Sequence, residues 1–357
     1  MAEALAVQLL TQRCEGCGSE LAPRLLTCPS CRKLVHGKRL TQLAADAQAA
    51  SERGAPLEAL ALWREALELL PPGTAQHAQV TARVTALSQQ ADAHGLAVPL
   101  AEAERKRSGM PKVLASMGAV GLMLWKFKFV LALLLGKGKL LLLGLTKAST
   151  LFSMLFAVSV YWTMWGWSFA LGLVACIYVH EMGHVASLRR LGMKADAPMF
   201  IPGLGAFVRL KQVPVDERED ARIGLAGPIW GTAAVVVVLV AAVLTGWKAL
   251  GAIAHAATWL NLFNLVPVWQ LDGSRGFRAL ARKQRWMAVA VLGATWFLTG
   301  ENLLLLIGGV AAYRALLTPA SEKGDLRTLV EYSALVVGLG ALGWAAQHWT
   351  GATAALN

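Results

Sequence analysis

The sequence predicts a mainly α-helical, polytopic transmembrane bundle preceded by a small cytoplasmic region, and three observations carry that expectation. Of the 357 residues, 56% are hydrophobic and only 16% are charged, a balance unlike that of an ordinary soluble enzyme. Apolar runs recur at 113–135, 148–165, 167–188, 223–247, 249–269, 286–317 and 331–349, most of them long enough to enter a bilayer. Ahead of these runs the chain is polar, and it holds four of its five cysteines in two short clips.

The clips, Cys14-x-x-Cys17 and Cys28-x-x-Cys31, are separated by ten residues. Each offers two thiolates from a tight turn, and together they complete a closed tetrahedral zinc site, which is structural rather than catalytic. Residues 1–38 are therefore read as a zinc-ribbon-like knuckle, with a disulfide pair as the alternative. No secretory h-region is visible in the first 100 residues, which argues against disulfides and places the N-terminus in the cytoplasm. His36 is read as a loop histidine and Cys176 as a small buried hydrophobe.

Residues 39–95 are rich in Ala, Leu, Gln and Glu at helical spacing, broken at Gly54 and at Pro71-Pro72-Gly73, so three helices are expected. Leu57 to Pro71 is similar to the second helix of a tetratricopeptide repeat, although an ordinary helical hairpin fits a single unit equally well. Such a region could bind a cytoplasmic protein partner. Residues 96–112 form a polar linker, and 113–357 the membrane-embedded domain.

The net charge of +12 sits in short Lys/Arg clusters flanking apolar runs: Arg105 to Lys112, Arg189 with Arg190, and Arg275 to Arg285. That is the pattern of cytoplasmic loops facing anionic lipid. Without a dense basic patch interleaved with aromatics, nucleic acid is disfavoured as a partner. Arg189 and Arg190 put the end of the 167–188 run on the cytoplasmic side, so 148–165 runs outward and Lys137, Lys139 and Lys147 are cytoplasmic. Residues 113–135, with Lys126 and Lys128 in their middle, are then interfacial or re-entrant. The runs 223–247 and 249–269 go out and return, which brings Asn264, Asp272 and Gly273 to the side of Arg189. Whether 286–317 is one broken helix or two short ones is left open, with Glu301 read as a turn residue. The expected location is multi-pass in an inner or plasma membrane.

His180-Glu181-Met182-Gly183-His184 lies inside the 167–188 run. On a helix, His180 and His184 stand one turn apart on one face, so both imidazoles can reach one Zn2+, while Glu181 points about 100° away and can hold a water. Composition alone predicts roughly 0.006 chance matches to H-E-x-x-H in this chain. Ionisable groups at membrane depth are costly and mark function. A catalytic zinc takes a third protein ligand and keeps one position open, and the membrane region offers Asp272.

Asp272 ends the motif Asn264-Leu265-Val266-Pro267-Val268-Trp269-Gln270-Leu271-Asp272-Gly273. With this and H-E-x-x-H, the chain resembles the site-2 protease family of intramembrane zinc metalloproteases, whose signatures are H-E-x-x-H in one transmembrane helix and N-x-x-P-x-x-x-L-D-G in a later one. Ala226-Gly227-Pro228 is similar to the small-residue start of the family's intervening helix, and Pro198 to Phe207 to its re-entrant β-hairpin. The resemblance covers roughly 148–285. It implies a zinc metalloendopeptidase with His180, His184 and Asp272 as ligands and Glu181 as general base and proton donor. Asn264 would orient substrate or help an oxyanion, with helix capping as its alternative role. The implied substrate is a transmembrane or membrane-proximal segment of another protein. Such a segment must unwind before a carbonyl reaches zinc, and 198–210 is the candidate edge to pair with it, a surface-lying loop without substrate contact being the alternative. A catalytically inactive membrane scaffold or sensor of the same fold is the competing expectation. Asn261, one turn before Asn264, is read as a helix-packing polar group.

Overall fold

Backbone punctuation divides the chain much as its glycines and caps require. A computed structural model of the protein describes residues 12–22, 25–93, 148–194, 198–201, 205–207 and 212–350. The linker and the 113–135 run lie outside the described residues. Two compact units result, one of residues 1–96 with Arg190–Met193, the other of the remaining chain.

In the first unit, β1 (Gln12–Arg13) pairs antiparallel with β2 (Glu20–Leu21), Gln12 facing Leu21. A small core of Cys14, Leu21 and Cys28 lies beneath. Three helices follow: α1 (Gly37–Glu52), α2 (Pro56–Glu68) and α3 (Ala75–Ala93). Gly54, with φ +71°, turns the chain after α1, and Pro56 opens α2, where its missing N–H costs nothing. Thr74 accepts from His77 N at 3.2 Å and so starts α3. Leu43, Ala47 and Ala50 of α1 and Ala59, Leu60 and Trp63 of α2 are buried, and α2 also packs on α3.

The second unit is built from helices and one short hairpin. Helix α4 (Ala148–Trp165) turns at Gly166 (φ +84°) into α5 (Trp167–Arg190). The strands β3 (Met199–Ile201) and β4 (Gly205–Phe207) pair antiparallel, with Phe200 opposite Ala206. Then come α6 (Glu217–Thr245), α7 (Lys248–Asn264), the short α8 (Asp272–Arg278), α9 (Arg282–Thr299), α10 (Leu303–Leu317) and α11 (Leu326–Thr350). The 286–317 run is therefore two helices, because Gly300 closes α9 in the left-handed conformation at φ +69°. Helix α6 begins at Glu217, well before its apolar run. The Asp216 carboxylate accepts from Glu219 N at 2.7 Å, and Glu217, Glu219 and Asp220 suit the positive helix terminus. Ala226-Gly227-Pro228 thus lies inside that helix rather than at its start.

Helices α5, α6 and α11 are long and apolar enough to cross a membrane. At about 1.5 Å per residue, the 24 residues of α5 reach roughly 36 Å, more than a hydrocarbon core. The apolar side chains left on the outside, such as Phe152, Val237, Leu244, Phe297 and Leu317, have no interior to enter and face what lipid would cover. Three helices of this length and composition mark a membrane protein.

Two apolar clusters hold the bundle. One joins α5 to α6 and α7 through Leu173, Ile177, Met182, Val235 and Ile253. The other joins α6, α7, α8 and the last three helices around Leu225, Leu262, Phe277, Leu292, Ile307 and Tyr332. Between α6 and α11, the Arg222 guanidinium meets Asp325 at 2.7 Å, Glu331 at 3.1 Å and the Thr328 hydroxyl at 3.0 Å. Burial raises the Asp325 carboxyl, but the Thr328 hydroxyl and Arg222 outweigh it and hold the group below its ordinary range.

Candidate metal centre

Helix α5 sets two imidazoles one turn apart, and α8 delivers a carboxylate between them. The His180 and His184 Nε2 atoms are 3.3 Å apart, and Asp272 Oδ2 is 3.1 Å from the first and 3.4 Å from the second. These are nearly the edges of a ligand tetrahedron: zinc at about 2.0–2.1 Å from each donor requires donor separations of about 3.3 Å. Two imidazole nitrogens and one carboxylate oxygen are also the donor set of a catalytic zinc, which keeps its fourth position open.

Neighbouring groups fit the same ion. His184 Nδ1 lies 2.8 Å from Ile223 O; a carbonyl only accepts, so Nδ1 carries the hydrogen and Nε2 keeps its lone pair. One turn beyond His184, Ser187 Oγ donates to the neighbouring Arg222 O at 3.1 Å, a second contact between α5 and α6. A Cβ built on Gly227 would fall 2.2 Å from His184 Nε2 and 2.7 Å from His180 Nε2, so the absence of a side chain there leaves room for an ion. Glu181 is 3% exposed, and its Oε2 has no hydrogen-bond partner. A buried carboxylate oxygen left unpaired is expensive unless a ligand or water completes it.

Asp272 reaches the histidines because α7 stops. The N–H groups of Leu265 and Val266 close the last turn onto Leu262 O and Phe263 O, and Pro267 brings no donor to extend it. The connecting loop is pinned at several points. Tyr332 Oη donates to Leu265 O at 2.8 Å, worth about 1 kcal/mol. Arg314 Nη1 donates to Pro267 O at 3.0 Å and to Ser274 Oγ at 3.1 Å, bracketing the Asp272 turn. At Gly273 a Cβ would sit 1.9 Å from Leu265 O, so the D-G pair needs its glycine for close approach. Asn264 Nδ2 lies 3.4 Å from His180 Nε2, within reach of what binds there.

Other site-forming residues carry a weaker signature in the sequence. Gly224, Gly227 and Gly231 share one face of α6, and a Cβ on them would meet Arg275, the histidine pair and Asn261 respectively. On α5, a Cβ on Gly183 would meet Ala226 O at 2.3 Å. Small residues at Gly183 and Gly227 let α5 and α6 approach, as is common between membrane helices. The signal of the α6 glycines in the sequence is a helical spacing, with Gly227 also in the Ala226-Gly227-Pro228 segment noted above. Ile223 acts through its carbonyl and leaves no side-chain signal at all.

In the first unit, the Cys14 and Cys31 sulfurs are 3.6 Å apart, as are those of Cys17 and Cys28, and all four lie within 4.8 Å of one another. That is far beyond the ~2.05 Å of a disulfide and close to the roughly 3.8 Å edge of a tetrahedron with Zn–S of about 2.3 Å. The Ser19 hydroxyl and backbone lower the Cys17 thiol to about 6. A backbone hydrogen bond with Cys31 lowers the Cys28 thiol. A Lys33 backbone hydrogen bond also pulls on Cys31, but desolvation and the neighbouring sulfurs carry it up to about 11. Cys17 thus favours the thiolate, and the cluster also holds protons that a dication can displace. His36 is not part of this group of sulfurs, and Cys176 is buried in the α5 core.

Residues 168–258 match the family model of Peptidase family M50. A zinc metalloprotease of Methanocaldococcus jannaschii is 27% identical over 117 residues, 31% of this chain and 34% of that protein. The chain thus spans about a third of the length of the curated relative it matches. No solved structure matches the chain. The family match covers α5, with His180, Glu181 and His184, and runs through α6, with Gly227, into α7. It stops before Asn264 and Asp272, yet the fold brings Asp272 to the two imidazoles. Over this helical core the chain is similar to Peptidase family M50, the site-2 protease family that its two sequence motifs also resemble.

Proposed function

We propose that the protein is an intramembrane zinc metalloendopeptidase that hydrolyses peptide bonds in or near transmembrane segments of other membrane proteins. The observation that carries this reading is the donor triangle spaced for zinc, His180 and His184 on a membrane-capable helix with Asp272 beside them, next to the buried Glu181, whose Oε2 has no hydrogen-bond partner. When bound, zinc supplies a Lewis acid that polarises the scissile carbonyl and brings the pKa of a water near 7. Glu181 takes the proton from water as its oxygen attacks the carbonyl carbon. It returns that proton to the amide nitrogen as the C–N bond breaks. Asn264, at the end of α7, orients the substrate carbonyl through its Nδ2 hydrogens.

Hydrolysis consumes water, and the site's depth suits that need. His184 and His180 lie about 9–15 Å along α5 from its Arg189–Arg190 end, which positive charge places on the cytoplasmic side. A transmembrane substrate hides its peptide groups in helical hydrogen bonds, so it must unwind before reacting. The β3–β4 hairpin offers an edge for the extended chain. Phe200 N donates to Ser153 and Thr150 donates to Pro198 O, which holds β3 against α4 and directs substrate to the β4 side. In this reading Cys14, Cys17, Cys28 and Cys31 hold a second, structural zinc, and the cytoplasmic N-terminal region recruits substrate or a protein partner. The chain crosses an inner or plasma membrane several times.

Purified protein in lipid vesicles, given a co-reconstituted single-span substrate, tests the reading. Cleavage is expected to stop when a strong chelator removes zinc and to return when zinc is added back, with fragments identified by mass spectrometry. Chelator-resistant cleavage, or no cleavage by the zinc-loaded protein across a panel of membrane substrates, would contradict it.

A further inference from the structure

The hydrogen bonds around His180 point to a role for Asn261 that packing does not require. Asn261 is on α7, one turn before Asn264, and is 4% exposed. Its Oδ1 lies 2.9 Å from His180 Nδ1. The other end of the amide fixes its orientation: Nδ2 donates to Ala257 O at 2.8 Å, and a carbonyl only accepts. The amide oxygen therefore faces the ring, and since it too only accepts, Nδ1 carries the hydrogen. Helix α6 makes room for this contact, because a Cβ on Gly231 would fall 2.0 Å from Asn261 Oδ1.

The consequence appears on the far side of the imidazole. With hydrogen on Nδ1, the Nε2 lone pair points at the space shared with His184 and Asp272. Rotating the ring out of that geometry would break the bond to Asn261. His184 receives the same support from a backbone carbonyl, which no substitution removes. For His180 a replaceable side chain does the work.

We infer that Asn261 is a positioning residue that fixes the tautomer and plane of His180 and thereby sets the affinity of the site for zinc. The inference rests on the zinc reading above and adds a residue outside both sequence motifs. A packing role alone makes a different prediction. If packing were all that mattered, an apolar residue of similar volume would leave zinc affinity unchanged. If Asn261 positions His180, the same change leaves Nδ1 without its acceptor and frees the tautomer with hydrogen on Nε2, which cannot ligate.

Zinc affinity of the full chain in detergent, measured by competition with a chromophoric chelator, separates these cases. Every variant is measured with and without His180→Ala, so that zinc held by the cysteines cancels. Asn261→Leu is expected to weaken the His180-dependent zinc by about 10–100-fold, the usual cost of losing an outer partner of a ligating histidine. Asn261→Asp, which keeps an acceptor for Nδ1, is expected to restore affinity to within a few-fold of the parent. Unchanged affinity in Asn261→Leu overturns the inference, and so does equal weakening in both variants. If the parent protein holds no more zinc than His180→Ala, the zinc reading itself fails, and this inference with it.

Discussion

Replacing Glu181 by Gln is expected to slow peptide cleavage by about 10²–10⁴-fold, the usual contribution of a positioned general base, while leaving zinc binding intact. At about 1.4 kcal/mol per factor of ten, that is roughly 3–5 kcal/mol of transition-state stabilisation. The substitution is close to isosteric, so a buried side chain that is 3% exposed can be exchanged without a cavity. What changes is chemistry: the amide cannot accept a proton from water or return it to a leaving nitrogen. The histidines and Asp272 keep their positions, so zinc stoichiometry should match the parent. Reconstituted Glu181→Gln protein should accumulate intact substrate where the parent yields fragments. A catalytically inactive scaffold would behave identically in both forms, and cleavage at the parental rate by the Gln variant would refute the proposed role of Glu181.

A second large effect is expected from a single added methyl group. Gly227→Ala should abolish zinc at the histidine pair and cleavage with it, although alanine favours a helix by about 1 kcal/mol over glycine. The new Cβ would stand 2.2 Å from His184 Nε2 and 2.7 Å from His180 Nε2, inside the volume that the ion and its ligands require. Separation of α5 from α6 is the remaining escape. Gly183 on α5 already meets Ala226 O closely enough that its own Cβ would lie at 2.3 Å, so the helices are locked at short range along this face. Gly293→Ala on α9 is the control, since a Cβ there meets nothing within 4 Å; it should keep zinc and activity. Parental zinc affinity and cleavage in Gly227→Ala would show that the ion does not sit between these imidazoles.

The contrast between these two residues explains what the sequence can reveal. Glu181 is legible because its chemistry and its place in H-E-x-x-H announce it, and helix periodicity alone puts His180 and His184 on one face. Asp272 is legible through the N-x-x-P-x-x-x-L-D-G motif, and Pro267 gives the physical reason that α7 ends before it. Gly227 contributes by what it lacks, and Ile223 through a carbonyl that every residue possesses. Asn261 looks like any polar group in a membrane helix until its partner 81 residues away is known. The clamp on the Asp272 loop comes from Arg314 and Tyr332, more than 40 positions downstream, where no local pattern singles them out. Helix boundaries follow the same logic. The start of α6 depends on the Asp216 cap and an acidic first turn, which a search for apolar runs passes over. The break between α9 and α10 depends on the left-handed conformation of Gly300, one of 34 glycines in the chain.

Anomalous diffraction at the zinc edge from crystals of the zinc-loaded protein tests the central claim most directly. The account predicts a peak about 2.0–2.2 Å from His180 Nε2, His184 Nε2 and an Asp272 oxygen, and a second among the four cysteine sulfurs. A protein that holds zinc at the cysteines but shows no peak at the histidine pair, or a peak there with Asp272 well outside bonding distance, would contradict it.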